Sequence, residues 1–394
     1  MKLTVAMRVI GGFSITSMLL LFLGVISYNV LTTISESTRS VNQISVPAME
    51  SSAKLRQQFL VMSKTTLLDY YAKTYEEIER SASTFNNQSR TFEQELALLK
   101  SVVADAPELA NQLPKLEQAF NQFKGTTASL FDSKKQTMQL ADLVKEKLEE
   151  TEYAADDGAT YALDFIDLND ISSSSPLGKA ATQIEGSMGS VISAITDIAK
   201  ATQQQNVETI VKELSFTQNR LTETMDEIRT LTGGEEMDGF EDLESQVESV
   251  LEMLASGESI QNTKLKWLRQ ITSTDDLLRQ TNEKINLGLD SLSDLLAKVK
   301  ARLELTTTEV TESVGDGQNK TIWVILFALA ASIGIAITTV LKVTRPLKEV
   351  NRVLNIVASG DLTNKLTYDQ KDEFGELANN CNKIRTGRAH PSLL

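Results

Sequence analysis

The sequence predicts an all-α protein that crosses a membrane twice, and three observations carry this prediction. Two long segments contain no charged residue, apolar side chains recur at helical spacing along most of the chain, and the composition is that of long helices. Only six of the 394 residues are proline and 6% are aromatic. Such a composition is typical of extended helices and not of compact mixed folds.

The first uncharged segment covers residues 9–28 and follows Lys2 and Arg8. Its 20 residues are enough for a transmembrane helix, which we predict over 9–31 after a cytoplasmic N-terminus of residues 1–8. A cleaved signal peptide is the alternative, but its apolar region is usually shorter and ends in small residues. The residues at 26–28, Ile-Ser-Tyr, form a poor cleavage site.

The second uncharged segment covers residues 321–341. A helix of this length spans about 31 Å, enough to cross the hydrocarbon core of a bilayer. Lys342, Arg345 and Lys348 follow at once. Because positive residues favour the cytoplasmic side, both termini are predicted to be cytoplasmic and residues 32–320 to lie outside.

The outer segment is strongly acidic, and this excludes two classes of partner. Residues 29–320 hold 28 Lys and Arg against 47 Asp and Glu. Such a surface repels nucleic acid and anionic lipid. An acidic cluster at 156–157 lacks the alternating oxygen ligands of a Ca²⁺ loop, so no metal site is expected. With one Cys and one His in the chain, no cofactor and no enzymatic activity are expected either.

Helices of the outer segment are predicted from periodicity, capping residues and breakers. The first helix continues from the membrane and is interrupted at Pro47. Thr74 and Glu77 have the spacing of a capping box, which opens a second helix that runs to about residue 105. A helix of about 50 residues follows over 115–167, with Gly158 as a point where it could break. After a loop at 169–178, helices are predicted over 179–203, 206–231 and 240–256.

The last outer helix is predicted to run from residue 258 into the membrane. Apolar and small residues recur along it at alternating intervals of three and four, the period of a coiled-coil seam. They are Trp267, Ile271, Thr274, Leu278, Thr281, Ile285, Gly288, Leu292, Leu295 and Val299. Thr274, Thr281 and Gly288 weaken this seam. They represent either ordinary variation or a helix loose enough to slide or rotate.

The length of the outer segment predicts two four-helix bundles stacked along the membrane normal, which share the long first and last helices. One bundle needs roughly half of the residues available in 32–320. This layout resembles the helical bimodular domains of chemoreceptors and some sensor kinases, and the outer domain of the trimethylamine-oxide sensor kinase. The resemblance is one of layout and carries no sharp motif.

Residues 342–386 carry the most specific pattern of the chain. Pro346 and Leu347 open a helix, Gly360 and Asp361 end it, and a second helix starts at 372–373. Each helix carries a seam of apolar residues at intervals of three and four, Leu347, Val350, Leu354 and Val357 in the first and Phe374, Leu377, Cys381 and Ile384 in the second. The residues that define the pattern are Pro346, Leu347, Gly360, Asp361, Asp372, Glu373 and Leu377. It resembles a HAMP domain, the signal-converting module of bacterial transmembrane receptors. The resemblance implies a parallel four-helix bundle between two chains, hence a homodimer.

Two departures from the family pattern occur near the end of the chain. Cys381 stands where the family usually has Phe, and the match dissolves after Ile384 into an irregular tail at 387–394. Pro391 cannot continue a helix, so the last turn of the second HAMP helix is expected to be weakened.

The combined features are most similar to methyl-accepting chemotaxis proteins. The resemblance rests on the HAMP pattern, the form of both spans and the Val-Pro-Ala-Met segment at 46–49. It implies a transmembrane chemoreceptor of the bacterial inner membrane, with a periplasmic sensor domain and a cytoplasmic signalling module that is absent from this chain. The alternative is the input half of a sensor histidine kinase or a diguanylate cyclase, since HAMP domains serve all three classes.

Two pairs of residues are candidates for ligand binding. Arg56 lies beside apolar positions and, counted in equal rises from the membrane, is level with Lys298, so the two are predicted to converge on an anion. Arg269 beside Trp267 is the second candidate. Related double-bundle domains imply either a small periplasmic ligand such as an organic acid or a ligand-loaded periplasmic binding protein.

Overall fold

The computed structural model describes residues 4–233, 235–361, 363–368 and 372–387. Helices make up 89% of the structure, and the described residues form no strand. The predicted all-α fold is therefore confirmed. Prolines, caps and glycines divide the described chain into these helices: α1 (Val5–Ser40), α2 (Val46–Tyr70), α3 (Tyr75–Val102), α4 (Pro107–Ala110), α5 (Leu113–Leu168), α6 (Pro176–Lys200), α7 (Gln204–Thr232), α8 (Phe240–Ala255), α9 (Ile260–Thr339), α10 (Arg345–Ala358) and α11 (Glu373–Gly387).

Two prolines follow π-helical turns instead of ending their helices. The turn Val41–Ser45 precedes Pro47, and the turn Val340–Thr344 precedes Pro346. Proline has no N–H and its ring collides with the carbonyl four residues earlier, and the wider turn relieves that conflict. The predicted interruption at Pro47 is therefore a local widening, and the helical path continues from α1 into α2.

Local signals set the other helix ends. Thr74 and Glu77 form the predicted capping box, in which the Thr74 hydroxyl accepts from the Glu77 N–H at 3.2 Å. The suggested break near Gly158 is wrong, because α5 runs through it without interruption. Gly158 is buried against Met188 of α6, so the missing side chain allows the two helices to approach closely.

The chain divides into two compact units, residues 48–298 and residues 1–47 with 299–394. Within the first unit, α2, α3, the first half of α5 and α9 surround a core of aromatic rings, which we call the Phe bundle. Its rings stack or meet edge to face with centroids 4.3–5.9 Å apart. They belong to Phe59, Phe85, Phe92, Phe120, Phe123 and Phe131.

The second core of this unit is mainly aliphatic and lies among the rest of α5, α6, α7, α8 and the start of α9. We call it the aliphatic bundle; buried residues such as Ile184, Val191, Leu221 and Val247 fill it. Because α5 and α9 contribute to both cores, the unit is a pair of stacked bundles. The predicted sharing is right for the last helix, α9, and wrong for the first, because α2 ends at Tyr70 and α5 is the other helix that runs through both cores. Gly288 does not loosen the α9 seam, because the ring of Phe59 fills the space beside it.

The other unit contains the two candidate membrane spans. The helical runs Val5–Tyr70 and Phe240–Ala358 each include a stretch long and apolar enough to cross a membrane. Almost none of the side chains in those stretches is buried by protein. The α1 and C-terminal α9 segments meet at glycines, where Gly12 lies against Ile335 and Gly317 against Val30.

Candidate functional site

The turn after α10 has the geometry that the sequence predicts. Gly360 adopts a φ of 91°, a conformation that side chains disfavour, and it ends α10 with its N–H bonded to the carbonyl of Val357 at 3.1 Å. The Asp361 carboxylate accepts from the Thr363 N–H at 2.9 Å. Hydrogen bonds from Thr363 hold the pKa of the Asp361 carboxyl below its usual value.

Asp372 and Glu373 both act at the start of α11. The Asp372 carboxylate accepts from the Gly375 N–H at 3.2 Å and so caps the helix. The Glu373 carboxylate accepts from the backbone N–H of Val5 at 2.8 Å. A negative charge at a helix N-terminus is stabilising, so Glu373 ties the beginning of α1 to the second HAMP helix.

A further contact holds the connector between these helices and was missed from sequence. The Asn382 amide donates to the Leu366 carbonyl at 2.9 Å and accepts from the Leu366 N–H at 3.1 Å. The predicted seam contained Cys381 but passed over its neighbour Asn382. The alternation of apolar residues carries no signal for such a polar clamp.

The apolar residues of α10 and α11 divide into a buried set and an exposed set. Val350, Val353, Leu366 and Ala378 form one small core. Three positions of the predicted seams are 38–47% exposed: Leu347, Leu354 and Leu377. Pro346 and Cys381 are buried. The predicted seam therefore packs only in part within one chain, since Val353 and Ala378 take the inner places. The side chain of Ile384 and the tail with Pro391 lie outside the described residues.

The first candidate ligand pair is not brought together. Arg56 and Lys298 are both exposed, on α2 and α9. Phe59 packs against Gly288, and Tyr70 donates to Asp275, so the two helices are antiparallel. Arg56 is therefore level with about residue 291, and Lys298 lies roughly 10 Å further along α9. The prediction that Arg56 and Lys298 lie at the same level is wrong, because the count of residues from the membrane assumed that both spans end at the same depth.

The second candidate pair is replaced by another cation. Arg269 is exposed, whereas the Lys264 Nζ lies 4.0 Å from the centroid of the half-buried Trp267 ring. Lys264 is 2% exposed and donates to the Ala199 carbonyl at 2.6 Å, in the last turn of α6. Burial lowers the pKa of Lys264. The cation and the helix C-terminus stabilise each other. The i,i+3 spacing of Lys264 and Trp267 on α9 was the available sequence signal.

Two comparisons with known proteins agree with this geometry. The HAMP domain family model matches residues 339–381, which include the π-helical turn, α10 and the capped start of α11. These residues contain a HAMP domain. Among solved structures, the chain is similar to the sensor domain of the histidine kinase sensor TorS of V. parahaemolyticus. The TM-score is 0.50 at 12% identity, over 64% of this chain and 99% of that one.

At that identity the structural likeness shows the fold alone. No curated protein matches this sequence significantly. A HAMP domain, an all-helical sensor fold and two candidate membrane spans together are the organisation of a membrane-anchored signalling receptor.

Proposed function

We propose that this chain is the sensing and signal-converting part of a bacterial chemoreceptor of the methyl-accepting type. In this proposal, residues 32–320 sense a stimulus in the periplasm, and the inner membrane is crossed by α1 and the C-terminal part of α9. The chain itself catalyses no reaction. The observation that carries the proposal is the HAMP domain at residues 339–381, on the same chain as two candidate membrane spans and an all-helical sensor fold.

A sensor histidine kinase is the second candidate, and it is favoured by the fold shared with the TorS sensor domain. The gene sequence that follows the HAMP domain distinguishes the chemoreceptor from the kinase. A long Glu- and Gln-rich coiled-coil hairpin supports the chemoreceptor. A helix with a phospho-accepting His followed by an ATP-binding domain supports the kinase and contradicts the chemoreceptor.

The partner required by the HAMP domain is a second copy of the chain. Leu347, Leu354 and Leu377 are apolar side chains at coiled-coil positions that remain 38–47% exposed within one chain. A parallel pair of identical subunits brings the same three positions together around a twofold axis and removes them from water. Their burial then depends on the relative placement of four helices, which is a property that a stimulus can shift.

The unit of residues 48–298, which we call the sensor unit, also has an exposed apolar surface on α2 that a second subunit can cover. Its inward face is the seam of Leu55, Phe59 and Met62, all fully buried. A second row lies about a quarter turn away and is exposed, with Ala53, Leu60 and Leu67 at seven-residue spacing and Met49 four residues before Ala53. A helix with two apolar rows of this period packs on both sides. We assign the exposed row to the α2 helix of the second subunit.

The double variant Leu60→Glu, Leu67→Glu tests this interface. Leu60 is 48% and Leu67 38% exposed in one chain, so each can accept a charge without disturbing the core. Burial of four leucines per dimer is lost, and we expect the dissociation constant of the detergent-solubilised chain to rise about 100-fold or more. Exchange of donor- and acceptor-labelled subunits, followed by fluorescence energy transfer, measures the constant.

Leu98→Glu is the matched control. Leu98 is 58% exposed on α3, and the same change there should leave the dissociation constant within a factor of two. An equal effect of both changes would show that added charge, and not the α2 row, weakens association. If neither variant changed the dissociation constant, α2 would not be part of the interface.

Stimulus binding is proposed to involve a small organic acid or a ligand-loaded periplasmic binding protein. Arg56 stands between Ala53 and Leu60 on the exposed row of α2, and its guanidinium can pair with a carboxylate. We expect a carboxylate that raises the melting temperature of the chain to lose that effect in Arg56→Ala. Thermal-shift screening against organic acids, amines and purified binding proteins provides the measurement. Lys298→Ala is the control, since Lys298 lies about 10 Å further along α9. A shift that survives Arg56→Ala would remove this residue from the site.

A further inference from the structure

We propose that Asp69 is a proton-binding site through which the sensor unit responds to the pH of its surroundings. The inference rests on the proposed receptor function, and it names a second stimulus, the proton, at a place remote from Arg56. It is carried by a fully buried carboxylate, at the joint between three helices, whose oxygens make no hydrogen bond of normal geometry.

Asp69 occupies a core position. It extends the buried row of α2 by two more members, Thr66 and Asp69, and its side chain is fully buried. Neither carboxylate oxygen makes a hydrogen bond of normal geometry. A charged carboxylate in such a place has a large cost, since neither water nor donors replace its hydration. Its position in the last turn of α2 adds to the cost, because a helix C-terminus disfavours negative charge.

The groups that act on Asp69 come from two neighbouring helices. The Ser81 hydroxyl of α3 and the Lys134 ammonium of α5 both favour the charged carboxylate, but burial outweighs them and raises the pKa of Asp69 to about 7. Two further charged side chains of α3 and α5 form an ion pair with each other. Lys135 of α5 pairs with Glu79 of α3 at 3.5 Å.

On α9, the charged groups of this level are also engaged. Asp275 accepts from the Tyr70 hydroxyl at 2.7 Å, and this bond raises the pKa of Tyr70 to about 12. Asp276 pairs with Arg279 at 3.4 Å. Among the described residues of this joint, Asp69 is thus the fully buried carboxyl group, and its raised pKa makes it change charge near neutral pH.

Protonation of Asp69 is coupled to α9 through the next residue. Tyr70 bonds to Asp275 on α9, and the Lys134 Nζ lies 5.3 Å from the centroid of the Tyr70 ring. In the neutral form Asp69 stays in the core and Tyr70 holds its place. In the charged form, the carboxylate lowers its free energy by moving toward Lys134 or water. This movement displaces the end of α2 and with it Tyr70. Since α9 continues to Thr339, a change at Asp275 is made on the helix that enters the membrane.

The direction of the pH effect follows from the raised pKa. The unfolded chain releases the Asp69 proton near pH 4, whereas the folded chain keeps it until about pH 7. Folded stability therefore falls as the pH rises between these values and changes no further above them. The compact, neutral arrangement is favoured under acidic conditions, and the displaced arrangement under alkaline conditions.

The site is tested by melting the full chain in lipid nanodiscs between pH 5.5 and 8.5. We expect the melting temperature of the wild type to fall by about 5 °C over this range more than that of Asp69→Asn, which cannot ionise. Asp132→Asn removes an exposed carboxylate from α5 of the same bundle and should keep the wild-type slope. If Asp69→Asn does not fold, Asp69→Thr takes its place, since Thr66 and Thr274 already occupy buried seam positions. An unchanged slope in the Asp69 variant would overturn the proton site.

Transmission is tested with Cys381, the one cysteine of the chain, which is buried in the HAMP domain. Its maleimide labelling rate is compared between wild type and Asp69→Asn at each pH, so that the direct effect of pH on the labelling reaction cancels. We expect the ratio of the two rates to change at least threefold, with a midpoint near pH 7. A constant ratio together with a lost melting slope would overturn the pH response. If neither organic acids nor purified binding proteins change the Cys381 labelling rate, while the Asp69 titration is intact, the receptor function is contradicted instead.

Discussion

Phe59→Ala is expected to lower the free energy of unfolding of the 48–298 unit by about 4 kcal/mol. The ring of Phe59 is fully buried, with its centroid 4.8 Å from that of Phe123 and 5.9 Å from that of Phe92. Its removal leaves a cavity that the rings of α3 and α5 cannot close, because those rings are packed against one another. Urea denaturation followed by circular dichroism measures the loss.

Gly288→Ala probes the same contact from the other side. A methyl group at Gly288 would lie 2.2 Å from the Cζ atom of Phe59 and 2.7 Å from its Cε1 atom. The ring cannot retreat into the Phe bundle, so we expect a cost of about 2 kcal/mol despite the better helix propensity of alanine. In the Phe59→Ala background the methyl group enters the vacated space and the cost should disappear. The double-mutant cycle then gives a coupling of about 2 kcal/mol or more.

Gly158→Ala is the matched control for Gly288→Ala. Gly158 is also buried in a long helix, and a methyl group there would lie 2.9 Å from the Cε atom of Met188. That atom ends a flexible thioether chain, which can turn away at little cost. The gain in helix propensity, about 1 kcal/mol, should balance the adjustment. Equal losses at both glycines, or additive effects of Phe59→Ala and Gly288→Ala, would contradict the tight contact between α2 and α9.

Gly178→Ala is the second change with a large expected effect, about 3 kcal/mol of destabilisation. Gly178 lies in the first turn of α6, where its N–H donates to the Ser175 hydroxyl that caps the helix. A methyl group would lie 2.3 Å from the Ser172 carbonyl oxygen and 2.9 Å from the Ser173 Cα. Because both obstacles are backbone atoms, the turn between α5 and α6 has to move. The aliphatic bundle, in which α5 and α6 face each other, should lose stability with it.

Two other glycines of α6 provide the comparison for this change. A methyl group at Gly186 or Gly189 meets no atom within 4 Å. There the replacement only removes flexibility from the unfolded chain and improves helix propensity, and each should stabilise the unit by up to about 1 kcal/mol. The denaturant midpoints of Gly178→Ala, Gly186→Ala and Gly189→Ala measure these differences in stability. If Gly178→Ala behaved like the other two, the turn at 172–175 would not be held as the structure has it.

Several features of the fold could be predicted because their causes are local. The capping box at Thr74, the left-handed stop at Gly360 and the cap at Asp372 each depend on residues within one helical turn. The α9 seam depends only on periodicity, and the structure buries Leu292, Leu295 and Val299 on it. Both uncharged spans depend on length and polarity. Such signals do not require knowledge of which helix lies opposite.

Register between helices has no such local cause, and the predicted pairing of Arg56 with Lys298 was wrong for that reason. Periodicity shows which face of α2 is buried, but the ring of Phe59 fitting beside Gly288 decides that Arg56 lies far from Lys298. In the same way, the placement of the end of α6 decides that Lys264, and not Arg269, meets Trp267.

By itself the sequence determined an all-helical chain with two candidate membrane spans, the order of its helices and the HAMP pattern. Only the tertiary structure decided which polar groups lose contact with water, above all Asp69 and Lys264. The physical reason is that burial of a charge depends on how closely neighbouring helices approach, and that distance is set by side chains far away in the chain.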